Sequence, residues 1–173
     1  MDTFPKAVID SGPLFDALVC NYDLQRVASG RQARFESVLD DVLQSRNSQQ
    51  YFLTFLASIR EKLTTAHVMA ELYGLEKGRL KLFGPDLHEF WRTSIDLLLQ
   101  WRIEEHLVKL LDLASHASLG ICLPEIGVTD TGLIDLAARY GCVLITRDAR
   151  TLAREAYVRH VDCRLVRQLI PSV

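Results

Sequence analysis

The stretch GVTDTGLIDLAARYGCVLITRDARTLA, residues 127–153, contains a helix, a strand and a second helix in succession. TGLIDLAARY reads as an apolar helix, CVLIT as a buried strand, and ARTLAREAY as the next helix. Strands that alternate with helices pack naturally as a parallel sheet covered by helices. The stretch therefore predicts the α/β class, with Asp130 just before the first helix and Asp148 just past the strand.

The flanking sequence extends this alternation in both directions. KAVIDSG reads as a short buried strand and a tight turn, and Pro13 falls in the first turn of the helix that follows. Apolar residues at spacings of three and four in ARFESVLDDVLQS predict an amphipathic helix, and YFLTFLASIREK predicts another. LTT reads as a strand, with Thr65 as the N-cap of a helix from Ala66 to about Lys77 that Gly78 ends. CRLV predicts a last strand.

A helix-rich segment is predicted at about residues 84–113. Gly84 and Pro85 mark a break and restart, and the sequence after them is helical by composition and spacing. Glu105 and Lys109, four residues apart, form an ion pair that supports a helix. We therefore expect one long helix or two helices with a bend.

Composition limits the class of protein. The 173 residues are 49% hydrophobic and 24% charged, which is typical of one soluble globular domain. The net charge of -2 argues against a protein that wraps nucleic acid over its whole surface, although it is compatible with a local basic rim. We find neither a signal-peptide pattern nor an apolar run of membrane-spanning length. We expect a cytoplasmic protein without a membrane partner.

The cysteines and histidines do not predict a zinc site. The four cysteines occur singly, without the close spacing that closes a zinc tetrahedron: Cys20, Cys122, Cys142 and Cys163. The five histidines are scattered along the chain.

Acids occupy the positions where ligands gather in open α/β sheets, outside the carboxyl ends of the strands. Asp10 closes the strand AVI, and Asp148 lies two residues past Thr146, where CVLIT ends. Asp130 precedes a helix and is expected at its N-terminus. Glu71 lies inside the helix after LTT, where an inward-facing acid among apolar neighbours would need a partner.

Each of these acids also has an ordinary structural explanation. Asp130 and Asp10 each precede a helix and are placed to cap it, and Asp148 is placed to stabilise a turn. The grouping of three acids at the sheet edge with Glu71 on a packed helix favours a joint role. Crowded carboxylates repel, and a hard divalent cation is the usual compensation. An oxygen-only ligand set favours Mg²⁺ or Mn²⁺ over zinc.

Four pieces of the sequence, in order, resemble the motifs of the PIN domain, the nuclease fold of toxin–antitoxin ribonucleases and many RNA-processing enzymes. AVIDSG resembles its first strand with a metal-binding aspartate, here Asp10, and TTAHVMAEL resembles the segment that carries its glutamate, here Glu71. GVTDTGLIDLA resembles the third motif, with Asp130 at the helix start. VLITRDARTL resembles the strand that ends Thr-x-Asp, here Thr146 and Asp148.

The resemblance implies a three-layer α/β/α sandwich with a central parallel sheet, formed by residues 1–173 as a single domain. The segment at about 84–113 would be an addition to the compact toxins. The implied activity is hydrolysis of RNA phosphodiester bonds by metal-activated water at one or two Mg²⁺ or Mn²⁺ ions.

The resemblance also suggests roles for individual residues. Asp10 and Asp148 would be direct metal ligands, and Glu71 and Asp130 would complete the cluster. Thr146 would orient Asp148 or a water on the metal. An acidic cluster repels an anionic phosphodiester until metal ions invert the local field, so the chemistry is consistent with the residues.

Candidate contacts to the substrate lie next to these acids. Residues 121–173 contain seven arginines and no lysine. Arg147, inside the Thr-x-Asp motif, is the arginine that we favour for binding a phosphate, because a guanidinium fork suits phosphate oxygens. Ser11, next to Asp10, is the second candidate. Expected partners are RNA, a cognate antitoxin protein and a second copy of the chain.

Of three alternatives to a toxin ribonuclease, the sequence disfavours one and leaves two open. A receiver-type signalling domain also groups aspartates around Mg²⁺, but it uses a late lysine, and no lysine follows Lys109. An RNA-processing PIN nuclease outside a toxin system stays open. So does a catalytically silent α/β interaction module whose acids are only caps.

Overall fold

A single all-parallel sheet organises the chain. The computed structural model describes residues 4–115 and 123–171, so Cys122 lies outside the described residues. Five strands pair in the order β3-β2-β1-β4-β5, and helices cover both faces in a three-layer α/β/α sandwich, as predicted. The strands are β1 (Lys6–Ile9), β2 (Glu61–Thr65), β3 (Glu104–His106), β4 (Val143–Thr146) and β5 (Cys163–Leu165).

Helices connect the strands in the described part of the chain. They are α1 (Ser11–Ala28), α2 (Arg46–Ser58), α3 (Ala66–Leu75), α4 (Gly84–Trp101), α5 (Leu110–Ser115), α6 (Leu123–Tyr140), α7 (Leu152–Val158) and α8 (Val166–Leu169). Over residues 4–115 and 123–171, none of the helices combines the length and the apolar character that a membrane span requires.

The central strand β1 positions the site. Its apolar residues Ala7, Val8 and Ile9 have no exposed surface, as expected for a parallel strand buried on both faces. β1 pairs with β2 on one side and with β4 on the other, where Ile9 is in register with Ile145. The chain thus leaves β1 toward one side of the sheet and later returns on the other. In sheets of this kind, the crevice at such a switch point is the usual ligand site.

The prediction of one long helix, or of two helices with a bend, at about 84–113 is wrong in its middle. α4 ends at Trp101, and Arg102 adopts a left-handed conformation with a φ of 50°. Glu104–His106 then form β3, which pairs in parallel with β2 at the edge of the sheet. Glu105 is therefore in a strand, so its spacing of four residues from Lys109 does not place the two side chains on one face of a helix. A short polar edge strand carries no apolar pattern that would reveal it.

The amphipathic helix predicted for ARFESVLDDVLQS is also absent from the structure. Two short 3₁₀ turns, Glu36–Val38 and Asp41–Leu43, take its place. The apolar residues that suggested the helix, Phe35, Leu39 and Leu43, are nevertheless buried. Their spacing is therefore compatible with two turns as well as with a helix, and hydrogen bonds from side chains select the turns.

The end of α3 differs from the prediction by about one turn. Gly78 does not end the helix; a π-helical turn, Glu76–Leu80, continues it. The helical path stops at Lys81, which has a φ of 50° and donates its N–H to the carbonyl of Glu76. Thr65 caps α3 as expected, since its hydroxyl accepts the N–H of Val68.

Removing the Asp23 carboxylate should destabilise the fold. Asp23 is only 1% exposed on α1, and it accepts the backbone N–H groups of Arg34 at 3.1 Å and of Phe35 at 2.8 Å. Asp23→Ala would leave these donors without partners, so we expect the free energy of unfolding in urea to fall by about 2–3 kcal/mol. The exposed Asp41→Ala is the control and should change it by less than about 0.5 kcal/mol. Equal losses in the two variants would contradict this assignment.

Candidate carboxylate site

The switch point at β1 and β4 brings together the acids predicted from the sequence. Asp10 directly follows β1, and Asp148 follows β4 by two residues. α6 runs back toward β4, so its N-terminal half, which carries Asp130, lies at the same edge of the sheet. The charge of Glu71, on α3, acts on both Asp10 and Asp130. These four acids are called the carboxylate site below.

Asp10 is buried, and both of its carboxylate oxygens accept hydrogen bonds. It is 7% exposed and caps α1, with Oδ1 accepting the N–H of Ser11 at 2.5 Å and its hydroxyl at 3.2 Å. Oδ2 accepts the hydroxyl of Thr146 at 2.7 Å. Burial raises the pKa of Asp10 above its ordinary value, and Glu71 adds to the rise, although the bonds from Thr146 and Ser11 oppose it. The capping role is therefore present, with the carboxylate held in one orientation.

Asp148 is half-buried and accepts several hydrogen bonds from its own loop. Oδ1 accepts the N–H groups of Arg150 at 2.8 Å and Thr151 at 3.0 Å, and the Thr151 hydroxyl donates to Oδ2. Burial works to raise the pKa of Asp148, but these hydrogen bonds outweigh it and hold the pKa below its ordinary value. Asp148 therefore stabilises its turn and carries a permanent negative charge at neutral pH.

Asp130 differs from the other buried acids because its carboxylate has no hydrogen bond or ion pair with any described residue. Gly127, with a φ of 81°, interrupts α6, and the Thr131 hydroxyl bonds the Gly127 carbonyl at 2.7 Å instead. No capping bond by Asp130 is present in the described part of the chain. Burial raises its pKa to about 7, with further contributions from the charges of Asp10, Glu71 and Asp148.

The donor chemistry of the carboxylate site suits a hard divalent cation. Four acidic side chains from four elements supply only oxygen, and mutual repulsion acts on Asp130. In the arrangement shown, no three Asp, Glu, His or Cys side chains within residues 4–115 and 123–171 form a group that would hold a metal ion. Glu71 is exposed, and Asp148 is turned toward its own loop. These four acids offer the oxygen ligands that a hard divalent cation takes, but in the arrangement shown their carboxylates are not gathered around one point.

Thr146 joins two of the acids. Its side chain has no exposed surface; the hydroxyl donates to Asp10 at 2.7 Å and accepts the backbone N–H of Asp148 at 2.9 Å. The sequence predicted that Thr146 orients Asp148, and the structure places it in contact with both aspartates. Ser11 contacts the Asp10 carboxylate through its N–H and its hydroxyl.

Arg147 is paired with two acids that the sequence did not reveal. Its Nη1 lies 2.7 Å from Oδ1 of Asp16, and its Nε lies 3.5 Å from Oδ2 of Asp40. Contact of Arg147 with a phosphate stays a prediction, whereas these ion pairs are what the structure contains. One signal was available in the sequence, since Asp16 interrupts the apolar run LFDALV and a buried acid needs a partner.

Asp130→Asn should stabilise the metal-free protein at high pH. A carboxylate whose pKa rises on folding from 3.8 to about 7 contributes stability that is complete below 3.8 and lost as the pH rises through 7. The variant should match the wild type near pH 4 and exceed it at pH 8. After discounting for solvent screening of a half-buried group, we expect about 1–2 kcal/mol in the free energy of unfolding.

Urea denaturation in EDTA at both pH values measures this difference. Asp148→Asn is the matched comparison, because a lowered pKa predicts the opposite sign, namely a loss of stability at pH 8. An Asp130→Asn variant that is no more stable than the wild type at pH 8 would contradict the repulsion assigned to Asp130.

Comparison with known proteins identifies no family. No protein-family model and no curated protein matches the chain. Among solved structures, the chain is similar to a domain of a functionally unknown protein from Methanocaldococcus jannaschii DSM 2661, with 15% identity and a TM-score of 0.46. The similarity covers 98% of this chain and 93% of that one, and it carries no information on function.

Proposed function

We propose that this protein is a metal-dependent endoribonuclease that hydrolyses RNA phosphodiester bonds at the carboxylate site. The observation that carries the proposal is the grouping of four carboxylates from four elements near one switch point, where the Asp130 carboxylate has no hydrogen bond or ion pair with a described residue. Such an excess of negative charge is costly unless a cation offsets it. The four motifs that resemble the PIN domain contain these same residues.

Asp10, Glu71, Asp130 and Asp148 would hold Mg²⁺ or Mn²⁺. When bound, these ions supply Lewis-acid chemistry that activates water and offsets charge on the phosphodiester. Zinc is disfavoured, because the site offers oxygen ligands and neither thiolate nor imidazole among the residues predicted for it.

The protein's own residues prepare the site in different ways. Ser11 and Thr146 fix both oxygens of Asp10 with hydrogen bonds, so this carboxylate needs little rearrangement. Asp148 offers an ionised carboxylate at neutral pH, since its hydrogen bonds hold its pKa below the ordinary value in spite of burial. Burial and the neighbouring charges raise the pKa of Asp130 to about 7, so metal binding near neutral pH would displace a proton from it.

We further propose that the enzyme acts in the cytoplasm as the toxin of a toxin–antitoxin pair. The four motifs support this proposal, since they resemble those of PIN toxins. α4 also presents apolar side chains to solvent, including Ile95 and Leu99, which are 50% and 71% exposed. Such a face would suit an antitoxin helix or a second copy of the chain. An RNA-maturation enzyme of the same chemistry is the alternative within the nuclease class.

A silent interaction module is favoured by one specific observation. Asp10 caps α1 and Asp148 stabilises a turn, so each already has a structural role. The unpartnered Asp130 is not explained in this way. Metal-dependent stabilisation distinguishes the two functions, because a cluster that binds metal is stabilised by it and a set of caps is not.

Cleavage of a mixed pool of structured RNA by the purified protein tests the proposed function. We expect cleavage with Mn²⁺ or Mg²⁺ and none with EDTA. Cleavage that is unaffected by EDTA would contradict a metal-dependent site. Absence of both cleavage and stabilisation by metal would favour the interaction module.

A further inference from the structure

A buried ion pair lies directly beside the carboxylate site. Asp16, in the second turn of α1, has no exposed surface, and its Oδ1 accepts a hydrogen bond from Nη1 of Arg147 at 2.7 Å. Its Oδ2 is buried and has no hydrogen-bond partner in the part of the chain that the structure describes. A buried carboxylate with only one oxygen satisfied depends strongly on its cation. Arg147 supplies the cation in direct contact with Asp16, and the charge of Arg79 also acts on this carboxylate.

This pair adds a side-chain link to those that already join the end of β4 to the N-terminus of α1. Thr146 and Arg147 are consecutive, and Thr146 bonds the Asp10 carboxylate at the N-terminus of α1. Arg147 bonds Asp16, which lies six residues further along the chain, in the second turn of the same helix. The next residue is Asp148. The segment that presents Asp148 is therefore tied to the helix that presents Asp10 at two successive positions.

The arm of Arg147 is packed against α1. A Cβ atom built on Gly12 would lie only 3.1 Å from Cδ of Arg147 and 3.3 Å from its Cγ. Gly12 has no side chain, and the space this leaves is occupied by the aliphatic part of the Arg147 side chain as it runs from β4 to α1. The Arg147 side chain is 24% exposed, so most of it belongs to this packing and little of it faces solvent.

The second carboxylate near the guanidinium is a weaker contact. Asp40 lies 3.5 Å from Nε of Arg147 and is 26% exposed at its side chain, whereas Asp16 is fully buried. A partly exposed pair of this kind contributes little compared with a buried one. If Arg147 moved to a phosphate, Asp16 would lose the cation in direct contact with it while remaining buried, and the charge of Arg79 would be left to act on it. The geometry therefore favours an anchored arginine over one that binds substrate.

We propose that Asp16 is a positioning residue, which holds Arg147 and thereby sets the end of β4 and the relative placement of Asp10 and Asp148. The inference rests on the proposed function of the carboxylate site. Asp16 itself touches neither metal nor RNA; it acts through Arg147. The role assigned to Arg147 changes accordingly, from contact with substrate to support of the site.

The test compares Asp16→Asn, Arg147→Gln and the double variant with the wild type. The readouts are the apparent Kd for Mn²⁺, from thermal stabilisation, and kcat and KM for RNA cleavage. For Asp16→Asn we expect a loss of about 10- to 100-fold in Mn²⁺ affinity or in kcat, as for groups that orient metal ligands, with KM for RNA little changed. The double variant should be no worse than the more affected single variant, because both residues act as one unit.

Two further variants separate positioning from folding. Asp40→Asn is the matched control and should change each readout less than about threefold, as expected for an exposed pair. Gly12→Ala keeps both charges and is compatible with a helix, but it displaces the arm of Arg147, so cleavage should fall without loss of folded structure by circular dichroism. This variant tests the proposal even if Asp16→Asn fails to fold.

Three results would overturn the proposal in distinguishable ways. A wild-type protein that neither binds Mn²⁺ nor cleaves RNA would overturn the proposed function and this inference with it. Wild-type activity with unchanged Mn²⁺ affinity and kcat in Asp16→Asn and Gly12→Ala would overturn the inference alone. A rise in KM for Arg147→Gln that adds to the effect of Asp16→Asn would restore Arg147 to a direct contact with RNA.

Discussion

Asp10→Asn should reduce Mn²⁺-dependent RNA cleavage at least about 100-fold, since even groups that only support a metal ligand are worth 10- to 100-fold. Asn has the same shape as Asp but lacks the negative charge that a divalent cation requires. Its side-chain oxygen can still accept the N–H of Ser11, so the cap of α1 is retained. Burial raises the pKa of Asp10, so neutralising this side chain removes an unfavourable charge from the fold. The NH2 group of Asn cannot accept the hydroxyl of Thr146, so circular dichroism should first confirm that the variant is folded.

Asp135→Asn is the matched control for Asp10→Asn. Asp135 is 8% exposed and Asp10 is 7% exposed, so the two substitutions neutralise similarly buried aspartates. Asp135 pairs with Arg139 on α6 and is not among the charges that act on Asp130. Single-turnover rates with excess enzyme should stay within about threefold of wild type for Asp135→Asn, as for a change that touches no reacting group. Comparable losses in both variants would contradict a specific role for Asp10.

Mn²⁺ should stabilise the wild-type protein by several kcal/mol. Binding to the folded state alone raises the free energy of unfolding by about 2.7 kcal/mol at 100 times the Kd and by about 4.1 kcal/mol at 1,000 times the Kd. The stabilisation should increase between pH 6 and pH 8. Asp130 has a pKa of about 7 in the metal-free protein, so protons compete with the metal below that pH.

Thermal unfolding with Mn²⁺ and then with excess EDTA measures this stabilisation. Asp10→Asn and Asp130→Asn should lose most of it, whereas Asp135→Asn should keep it. Asp130→Asn should be more stable than the wild type in EDTA at pH 8 and less stable than the wild type with Mn²⁺. This reversal of order is the most specific result expected from the carboxylate site. Equal stabilisation of all the variants would indicate that Mn²⁺ binds elsewhere.

The reversal also bears on the choice between a nuclease and a silent interaction module. If the acids only cap helices and turns, Asp148→Asn would still cost stability through its loop, but no variant would alter a response to metal. Asp130 is the residue for which the two functions differ most, because it has no structural partner among the described residues.

The class of the fold and four of its strands, β1, β2, β4 and β5, could be predicted because the signals are local. The apolar runs around Val8 and Leu144 are short and flanked by turn residues, and each remains a buried strand wherever the chain places it. The cap at Thr65 and the placement of Pro13 in α1 likewise depend on neighbours within one helical turn. Prediction failed at β3, because its stability comes from pairing with β2 and two of its three side chains, Glu104 and Glu105, are exposed.

The candidate acids could also be predicted, since a strand that ends in an acid marks the edge of a parallel sheet. The partners of these acids could not. Thr146 bonds Asp10 across 136 positions of sequence, and Arg147 bonds Asp16 across 131. No pattern within a window of sequence specifies which of many acids and bases will meet at that separation.

The sequence by itself therefore determined the alternation of strands and helices and which acids lie at the ends of strands. Both follow from periodicity and from chemistry within a few residues. Only the tertiary structure decided that Arg147 is anchored to Asp16, that Asp148 is turned toward its own loop, and that Asp130 has no partner within residues 4–115 and 123–171. These outcomes depend on which buried charges packing brings together, because the energy of a charge is set by its surroundings in space.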